Sequence, residues 1–318
     1  HLFGTTYLWL PIVMPLFVST PAGIACATAR KYVEAIQQRN ELREAFRKFV
    51  PPEVADELAR NSFRIAALRK SVECACVATD AAQFSTLAED MASDALTDLL
   101  NEYFESLFTP VIDHKGFISD VAGDAMLALW PEQGKQTRQA VCNALLEMRD
   151  AADAFNRRST GNRMATRFGA NWGKVTLGTV GARMHFEYRA VGDPVNVSAR
   201  IQELNKKLGT RILVSHALAA GVEGFAMRDL GLFKLRGRKT PERIFELIQT
   251  TDRATPAELD LVSEFAGALQ ILHAGDRAAA LAAFQDIQTR HPSDGVAAFY
   301  VDYLLTRKPI VRNAVAVD

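Results

Sequence analysis

Residues 101–130 read NEYFESLFTPVIDHKGFISDVAGDAMLALW, a helical pattern that runs directly into a hairpin pattern. The helix begins upstream of this stretch, because apolar side chains recur at helical spacing over residues 93–113. Two apolar runs follow at residues 117–118 and 125–130, and the AGD between them favours a tight turn. The segment therefore predicts a helix beside an antiparallel pair of strands.

Patterns on both sides of this segment indicate a mixed domain of helices and strands. Upstream, CACVATDA at residues 74–81 is typical of a buried strand. In chain order the elements predicted downstream are a helix over 135–157, strands over 165–172 and 174–178, a helix over 194–208, and strands at 211–215, near Met227 and around Phe245. We expect an α+β domain over residues 67–250, with helices flanking an antiparallel-rich sheet.

The N-terminal residues 1–29 are predicted to form a transmembrane helix. Residues 6–28 carry no charge, and this is about the length of helix that spans a bilayer. Arg30 and Lys31 follow at once, and positive residues mark the cytoplasmic side of a span. We therefore expect an inner-membrane protein whose residues after 30 are cytoplasmic, with a helical linker over 30–66. Because the first residue is His1 and not Met, we expect the natural chain to begin upstream.

The C-terminal residues 251–318 form an Ala- and Leu-rich tail with helical patterns. Its run GDRAAALAAFQDIQTRHP at residues 275–292 resembles one tetratricopeptide unit. A single unit cannot bury a core alone, so we expect this tail to pack on the central domain or on a partner.

The overall charge argues against a nucleic-acid partner. Lys and Arg total 37, Asp and Glu also total 37, and no basic field results.

The carboxylates Asp80 and Asp124 are the most informative polar residues. Each lies at the end of a hydrophobic run in a predicted strand or hairpin. Carboxylates from neighbouring strands can share a hard cation such as Mg²⁺ and leave positions open for phosphate. Two such cations can hold the attacking and leaving oxygens of a phosphoryl displacement. Taken alone the pattern is weak, because aspartate is also a common turn residue.

The order of several segments makes this pattern more specific. The segments are FVPPEVADELA, TDAAQFSTL, the quoted residues 101–130, RFGANWGKVTLGTVG and YRAVGDPVNVSARIQELNKKLGTRILVS. Together they resemble the class III adenylyl/guanylyl cyclase family from about residue 49 to residue 248. The resemblance implies a ferredoxin-like sheet, two divalent cations (Mg²⁺ or Mn²⁺), and conversion of ATP to 3′,5′-cyclic AMP and diphosphate. The alternatives are a guanylyl cyclase acting on GTP and a catalytically silent nucleotide-binding regulator.

The resemblance also implies roles for individual residues. Metal binding falls to Asp80, Asp124 and the backbone carbonyl of Ala81. Phosphate binding falls to Gln83, Phe84, Ser85, Arg167 and Arg236. Asn196 and Arg200 would hold the ribose and stabilise the transition state, and their four-residue spacing places them on one helix face. Taken singly, Asn196 is more typical of a cap, Arg200 of a surface ion pair and Arg236 of a solvated turn.

Base recognition departs from the family pattern. Typical adenylyl cyclases carry Lys and Asp or Thr at the two base-reading positions, and guanylyl cyclases usually carry Glu and Cys. This chain has Asp120 and Arg189 there. Asp120 and Arg189 can contact guanine, contact adenine in another pose, or pair with each other.

The family's cyclases work as dimers, with the metal aspartates from one chain and the Asn-Arg pair from the other. The resemblance therefore implies a homodimer with two equivalent sites at its two-fold interface.

Overall fold

The computed structural model describes residues 13–47, 69–82, 84–158, 164–182, 185–306 and 314–316. The chain divides into two compact units, residues 1–67 and 68–318. The predicted boundary between residues 250 and 251 therefore falls inside the second unit.

The first unit contains one described helix, α1 (Val13–Arg47), whose Arg30 and Glu34 form an ion pair one turn apart. No helix among the described residues is long and apolar enough to cross a membrane. Residues 1–12 of the expected transmembrane helix and residues 48–66 of the expected linker lie outside the described part of the chain. The membrane anchor and the inner-membrane location therefore stay predictions from the sequence.

The second unit alternates strands and helices, largely as the sequence patterns predict. In chain order its elements are β1 (Arg69–Ala82), α2 (Phe84–Asp90), α3 (Ser93–Asp113), β2 (Phe117–Ala122), β3 (Ala125–Pro131), α4 (Thr137–Arg158), β4 (Ala165–Ala182), β5 (His185–Val191), α5 (Asp193–Leu208), β6 (Ile212–Ser215), α6 (His216–Ala219), β7 (Phe225–Lys234), β8 (Glu242–Thr250), α7 (Pro256–His273), α8 (Arg277–Arg290), α9 (Gly295–Leu305) and β9 (Ala314–Ala316).

The strands of the described residues form one sheet in the order β2-β3-β1-β4-β6-β8-β7-β9, and β5 pairs with β4. Its pairs are antiparallel except for β4 with β6 and β7 with β9. The predicted α+β class with an antiparallel-rich sheet is therefore confirmed.

Successive side chains of a strand point to opposite faces of the sheet, and in this sheet helices pack against both faces. In β6, Ile212 and Val214 face a core formed with α3 and α4, whereas Leu213 faces a second core formed with α5 and the tail. Tyr103 and Phe155 are fully buried in the first core. Two layers of helices therefore hold the strand ends in place.

The tail helices α7, α8 and α9 belong to the second core. Phe265, Phe284 and Tyr300 pack there with Leu230 and other residues of the sheet. The Tyr300 hydroxyl donates a hydrogen bond of 2.5 Å to the Leu230 carbonyl. The tail thus packs on the central domain, one of the two expected outcomes, while its likeness to a tetratricopeptide unit stays a prediction.

Three strands differ from the sequence prediction. β4 is one 18-residue strand, not two, and it passes through Gly173 without a break because β1 pairs with it continuously over residues 165–178. β5 and β9 were not predicted. β9 contains only three residues, which is too short for a recognisable alternation.

Candidate active site

Asp80 lies near the C-terminal end of β1 (Arg69–Ala82). Its partner across the antiparallel ladder is Arg167 in β4. The two side chains approach each other, with 3.6 Å between Arg167 Nη1 and Asp80 Oδ2. Asp80 stays 41% exposed at the side chain, so the carboxylate remains open to a ligand.

Asp124 reaches the same place from the hairpin between β2 and β3. Gly123 adopts φ of 62° in the turn before it, a conformation that favours glycine. β3 runs antiparallel to β1, which brings this turn to the end of β1. Asp124 Oδ2 accepts a hydrogen bond of 2.9 Å from the backbone N–H of Ala81. The structure therefore brings together the two aspartates that the sequence singled out.

The local environment raises the pKa of Asp80. Burial is the largest cause, and the negative charge of Asp124 is the second. Arg167, a hydrogen bond with Gln202 and the charge of Lys206 act in the opposite direction. The two carboxylates therefore face each other with incomplete compensation, and a bound cation would stabilise their ionised forms.

These donors fit a divalent cation of the hard type. Carboxylate and carbonyl oxygens are the ligands that Mg²⁺ prefers, and Mg²⁺ commonly takes one or two carboxylates plus phosphates and water. In the part of the chain that the structure describes, no group of three or more His, Cys, Asp or Glu side chains converges on one point. Asp80 and Asp124 alone would thus leave most coordination positions to substrate and water.

A pocket of about 370 Å³ opens at these aspartates, and we call it the aspartate pocket. Its lining residues are Asp80, Ala81, Ala82, Phe84, Asp124, Arg167 and Lys206. Of the predicted phosphate-binding loop, Phe84 lines the pocket, whereas Gln83 and the Ser85 side chain lie outside what the structure describes. The pocket has two carboxylates and two cations, a composition suited to a metal-bound polyphosphate.

Lys206 is the pocket residue that sequence reasoning missed. It lies on α5, four residues after Gln202, and both face Asp80. The sequence signal is their shared helix face at spacing i, i+4. A lysine in the last turn of a helix is ordinarily read as a solvated residue that complements the helix dipole.

Asn196 and Arg200 also lie on α5, but neither lines the aspartate pocket. Asn196 is exposed. Arg200 adjoins the turn between β7 and β8, because a Cβ atom at Gly237 would lie 3.5 Å from Arg200 Nη2. Arg236, also exposed, precedes Gly237 in that turn. We call Asn196, Arg200 and Arg236 the Asn-Arg surface, and within one chain the structure places it apart from the aspartates.

Arg238 holds this turn against the start of α5. Its guanidinium lies 2.5 Å from Asp193 Oδ2 and 3.0 Å from Glu242 Oε1. The contact links the β7–β8 turn to the helix that carries Asn196 and Arg200, so the Asn-Arg surface has a common support.

Asp120 and Arg189, the predicted base-reading residues, pair with each other. Arg189 Nη2 donates to Asp120 Oδ2 at 2.7 Å, and Arg189 Nε lies 2.7 Å from Glu187 Oε2. Both side chains are about two-fifths exposed, and neither lines the aspartate pocket. Of the three arrangements that the sequence left open, this one is present in the single chain.

Comparison with known proteins shows which family the chain resembles in sequence. The family model described as the adenylate and guanylate cyclase catalytic domain matches residues 68–248. Adenylate cyclase 1 of Rhizobium meliloti (strain 1021) is 34% identical over 197 residues, which cover 58% of this chain and 30% of that protein. The chain thus spans about a third of that relative's length.

Solved structures share the fold. A bacterial light-regulated adenylyl cyclase is similar with a TM-score of 0.58 and 18% identity, over 75% of this chain and 70% of that one. The guanylyl cyclase Cya2 is similar with a TM-score of 0.52 and 22% identity, over 58% of this chain and 96% of that one. The domain that contains the aspartate pocket therefore has the same fold as these proteins.

Proposed function

This chain belongs to the adenylate and guanylate cyclase family of catalytic domains, and from that membership we propose that it converts ATP into 3′,5′-cyclic AMP and diphosphate. The observation that carries the proposal is the hydrogen bond of 2.9 Å from Ala81 N–H to Asp124, which holds the second aspartate beside Asp80. The reaction joins the ribose 3′ oxygen to the α-phosphorus and breaks the bond from that phosphorus to diphosphate, while the 3′-hydroxyl proton leaves to solvent.

Two divalent cations, Mg²⁺ or Mn²⁺, would be held by Asp80, Asp124 and the Ala81 carbonyl, and would stabilise the charge on the attacking and leaving oxygens. The chain's own groups do the rest. Ala81 N–H orients the Asp124 carboxylate. The Arg167 guanidinium lies at the pocket wall, where it would bind a phosphate oxygen and orient the polyphosphate.

The separation of the aspartate pocket from the Asn-Arg surface supports a homodimer. In the proposed assembly, the pocket of one subunit receives the Asn-Arg surface of its partner. Asn196 would orient the ribose, and Arg200 would offset the charge that develops on the reacting phosphate. Two-fold symmetry then produces two equivalent sites.

The choice of ATP is supported by the relative named adenylate cyclase 1. The pairing of Asp120 with Arg189 does not itself select a base, because Asp120 accepts and Arg189 donates. A bound base would have to replace the hydrogen bond between Asp120 and Arg189 with its own contacts, which either adenine or guanine could make. GTP is therefore the second substrate to assay.

The first test measures cyclic nucleotide formation from ATP and from GTP, each with Mg²⁺ and with Mn²⁺. We expect cyclic AMP from ATP, and at least about a 100-fold loss in Asp124→Asn, the scale seen when a group that stabilises developing charge is removed. The matched control is Asp260→Asn, an exposed aspartate on α7, which should keep full activity.

Two results would contradict this proposal in different ways. If only cyclic GMP forms, the proposed substrate ATP is wrong, but the proposed cyclase reaction is retained. No cyclic product from either nucleotide, in a protein that unfolds cooperatively and sediments as a dimer, would favour a nucleotide-binding regulator instead.

A further inference from the structure

Lys206 projects a positive charge into a pocket that already contains two carboxylates. It lines the aspartate pocket together with Asp80, Asp124 and Arg167. Within the described residues, Lys206 has no carboxylate within 4.0 Å, whereas Arg167 lies 3.6 Å from Asp80. The Lys206 ammonium is thus available to an anion that enters the pocket.

The position of Lys206 is set by tight packing of α5 on β4. A Cβ atom at Gly169 would lie 2.1 Å from the Gln202 backbone nitrogen, so helix and strand touch through their backbones. Asn205, next to Lys206, is fully buried and donates a hydrogen bond of 2.9 Å to the Phe168 carbonyl. Phe168 in turn adjoins Arg167 in β4. The two cations of the pocket are therefore held on adjoining elements with a fixed register.

We propose that Lys206 is a phosphate-binding residue of the aspartate pocket and acts from the same subunit as Asp80 and Asp124. It binds the polyphosphate chain of the nucleotide from the α5 side, while Arg167 binds it from the β4 side. A lysine ammonium suits this role because it is a compact charge with three donors that can follow a shifting phosphate. This inference rests on the proposed function, since it names a further substrate contact in the same pocket.

The helix α5 then has two working faces. Its residues Asn196 and Arg200 would serve the partner's pocket, whereas Gln202 and Lys206 face the pocket of their own chain. A contact from the same chain predicts that Lys206 contributes to phosphate binding even where the Asn-Arg surface is disabled.

The test is equilibrium binding of inorganic diphosphate in the presence of Mg²⁺, measured by titration calorimetry on the full chain. We expect Lys206→Gln to weaken binding about 10-fold or more, as for loss of a hydrogen bond to a charged group. Lys206→Arg should restore most of the affinity. The matched control is Lys207→Gln, one residue further along α5 and outside the pocket lining, with less than about a twofold effect.

A second readout separates binding from folding and from the proposed function. The thermal midpoint of Lys206→Gln should stay close to that of wild type, because Lys206 is exposed. Unchanged diphosphate affinity in Lys206→Gln, when the wild-type protein forms cyclic product, overturns this inference and leaves the proposed function intact. Weakened affinity in Lys206→Gln, when the wild-type protein itself forms no cyclic product, supports the phosphate site and overturns the cyclase proposal.

Discussion

At the residue scale, Gly169 is the point where β4 and α5 meet most closely. A side chain there would collide with backbone atoms, at 2.1 Å from Gln202 N and 2.4 Å from Ser198 O. Backbone cannot rotate away as a flexible side chain can, so the helix would have to shift. Because α5 carries Asn196, Arg200 and Lys206, such a shift would disturb both proposed groups of site residues.

We expect Gly169→Ala to lower the free energy of unfolding by about 1–3 kcal/mol, the usual cost of overpacking, and to reduce cyclase activity further than the stability loss explains. Urea unfolding and product formation below the unfolding transition would measure the two effects. The control is Gly267→Ala in α7, where a Cβ atom has no neighbour within 4 Å. That change should raise stability by about 0.5–1 kcal/mol. Equal behaviour of the two variants would disprove the close contact.

Individual site residues were predictable from the sequence to different degrees. Asp80 and Asp124 were recognisable because each follows an apolar run, and this signal lies in the local sequence alone. Lys206 was not, because its role depends on which face of α5 packs against β4. The pairing of Asp120 with Arg189 also depends on tertiary structure, since it joins two separate strands, β2 and β5.

At the element scale, a buried ion network joins the sheet to the tail. Arg228 in β7 is 2% exposed, and its Nη2 lies 2.5 Å from Glu246 Oε2 in β8 and 2.8 Å from Asp294 Oδ1. Asp294 caps α9, because its carboxylate accepts the Ala297 N–H at 2.9 Å. The Arg228 guanidinium also lies 5.0 Å from the Phe265 ring of α7. One side chain thus contacts three other elements.

Removal of this arginine should be costly, because two carboxylates would lose their partner. We expect Arg228→Met to lower the free energy of unfolding by about 3–5 kcal/mol at neutral pH. The matched control is Arg243→Met, whose half-exposed guanidinium pairs with Asp229 at the surface. That change should cost at most about 1 kcal/mol. Urea titrations of both variants measure the difference, and similar losses would refute a special role for the buried network.

The same network predicts a pH dependence. Burial raises the pKa of Glu246, and the charge of Arg228 opposes that rise. Without Arg228 the pKa of Glu246 should rise further, so the folded variant binds a proton at pH values where the unfolded chain has lost it. Stability then falls as pH rises through that window. The deficit of Arg228→Met should therefore be smaller at pH 5 than at pH 8, and a deficit independent of pH would argue against this account.

Elements were predictable where the pattern is local. The bounds of α3 follow the apolar spacing that predicts them, and the hairpin of β2 and β3 follows its turn residues. β4 was predicted as two strands, over 165–172 and 174–178, on either side of Gly173. Glycine weakens a strand, but Gly173 is needed there, since a Cβ atom would lie 2.8 Å from Pro194 Cγ. Long-range pairing with β1 overrides the local preference.

At the scale of the whole molecule, the tail and the central domain share one hydrophobic core, so we expect them to unfold together. Leu230, Phe233 and Ile244 of the sheet share one core with Phe265, Phe284 and Tyr300 of the tail. We expect deletion of residues 251–318 to yield insoluble protein, or soluble protein with a thermal midpoint lowered by about 10 °C or more, because the sheet would expose this apolar face. Soluble expression and thermal unfolding are the measurements.

The control for that deletion removes residues 1–67 instead. This cut falls between the two compact units, so residues 68–318 should unfold cooperatively with a nearly unchanged midpoint. If the chain without its tail kept the same midpoint as this control, the shared core would contribute no stability and the prediction would fail.

The overall architecture was only partly predictable. Order and type of the elements indicated an α+β domain, and the quoted segments indicated the family. An Ala- and Leu-rich helix shows that it has an apolar face but does not identify what covers that face. The sequence therefore could not predict where α7, α8 and α9 pack, nor that β9 pairs with β7.

The core shared by tail and sheet limits which parts of this chain can be exchanged with those of relatives. Segments that interlock at crystal-like packing density must change together, because each new side chain needs a matching cavity opposite. A chimaera joined near residue 68 leaves every one of these contacts intact. A chimaera joined near residue 250 combines a sheet from one protein with tail helices from another, and these two halves of the core have not evolved together. Recombination is therefore expected to have replaced the segment upstream of β1 far more freely than the helices that follow β8.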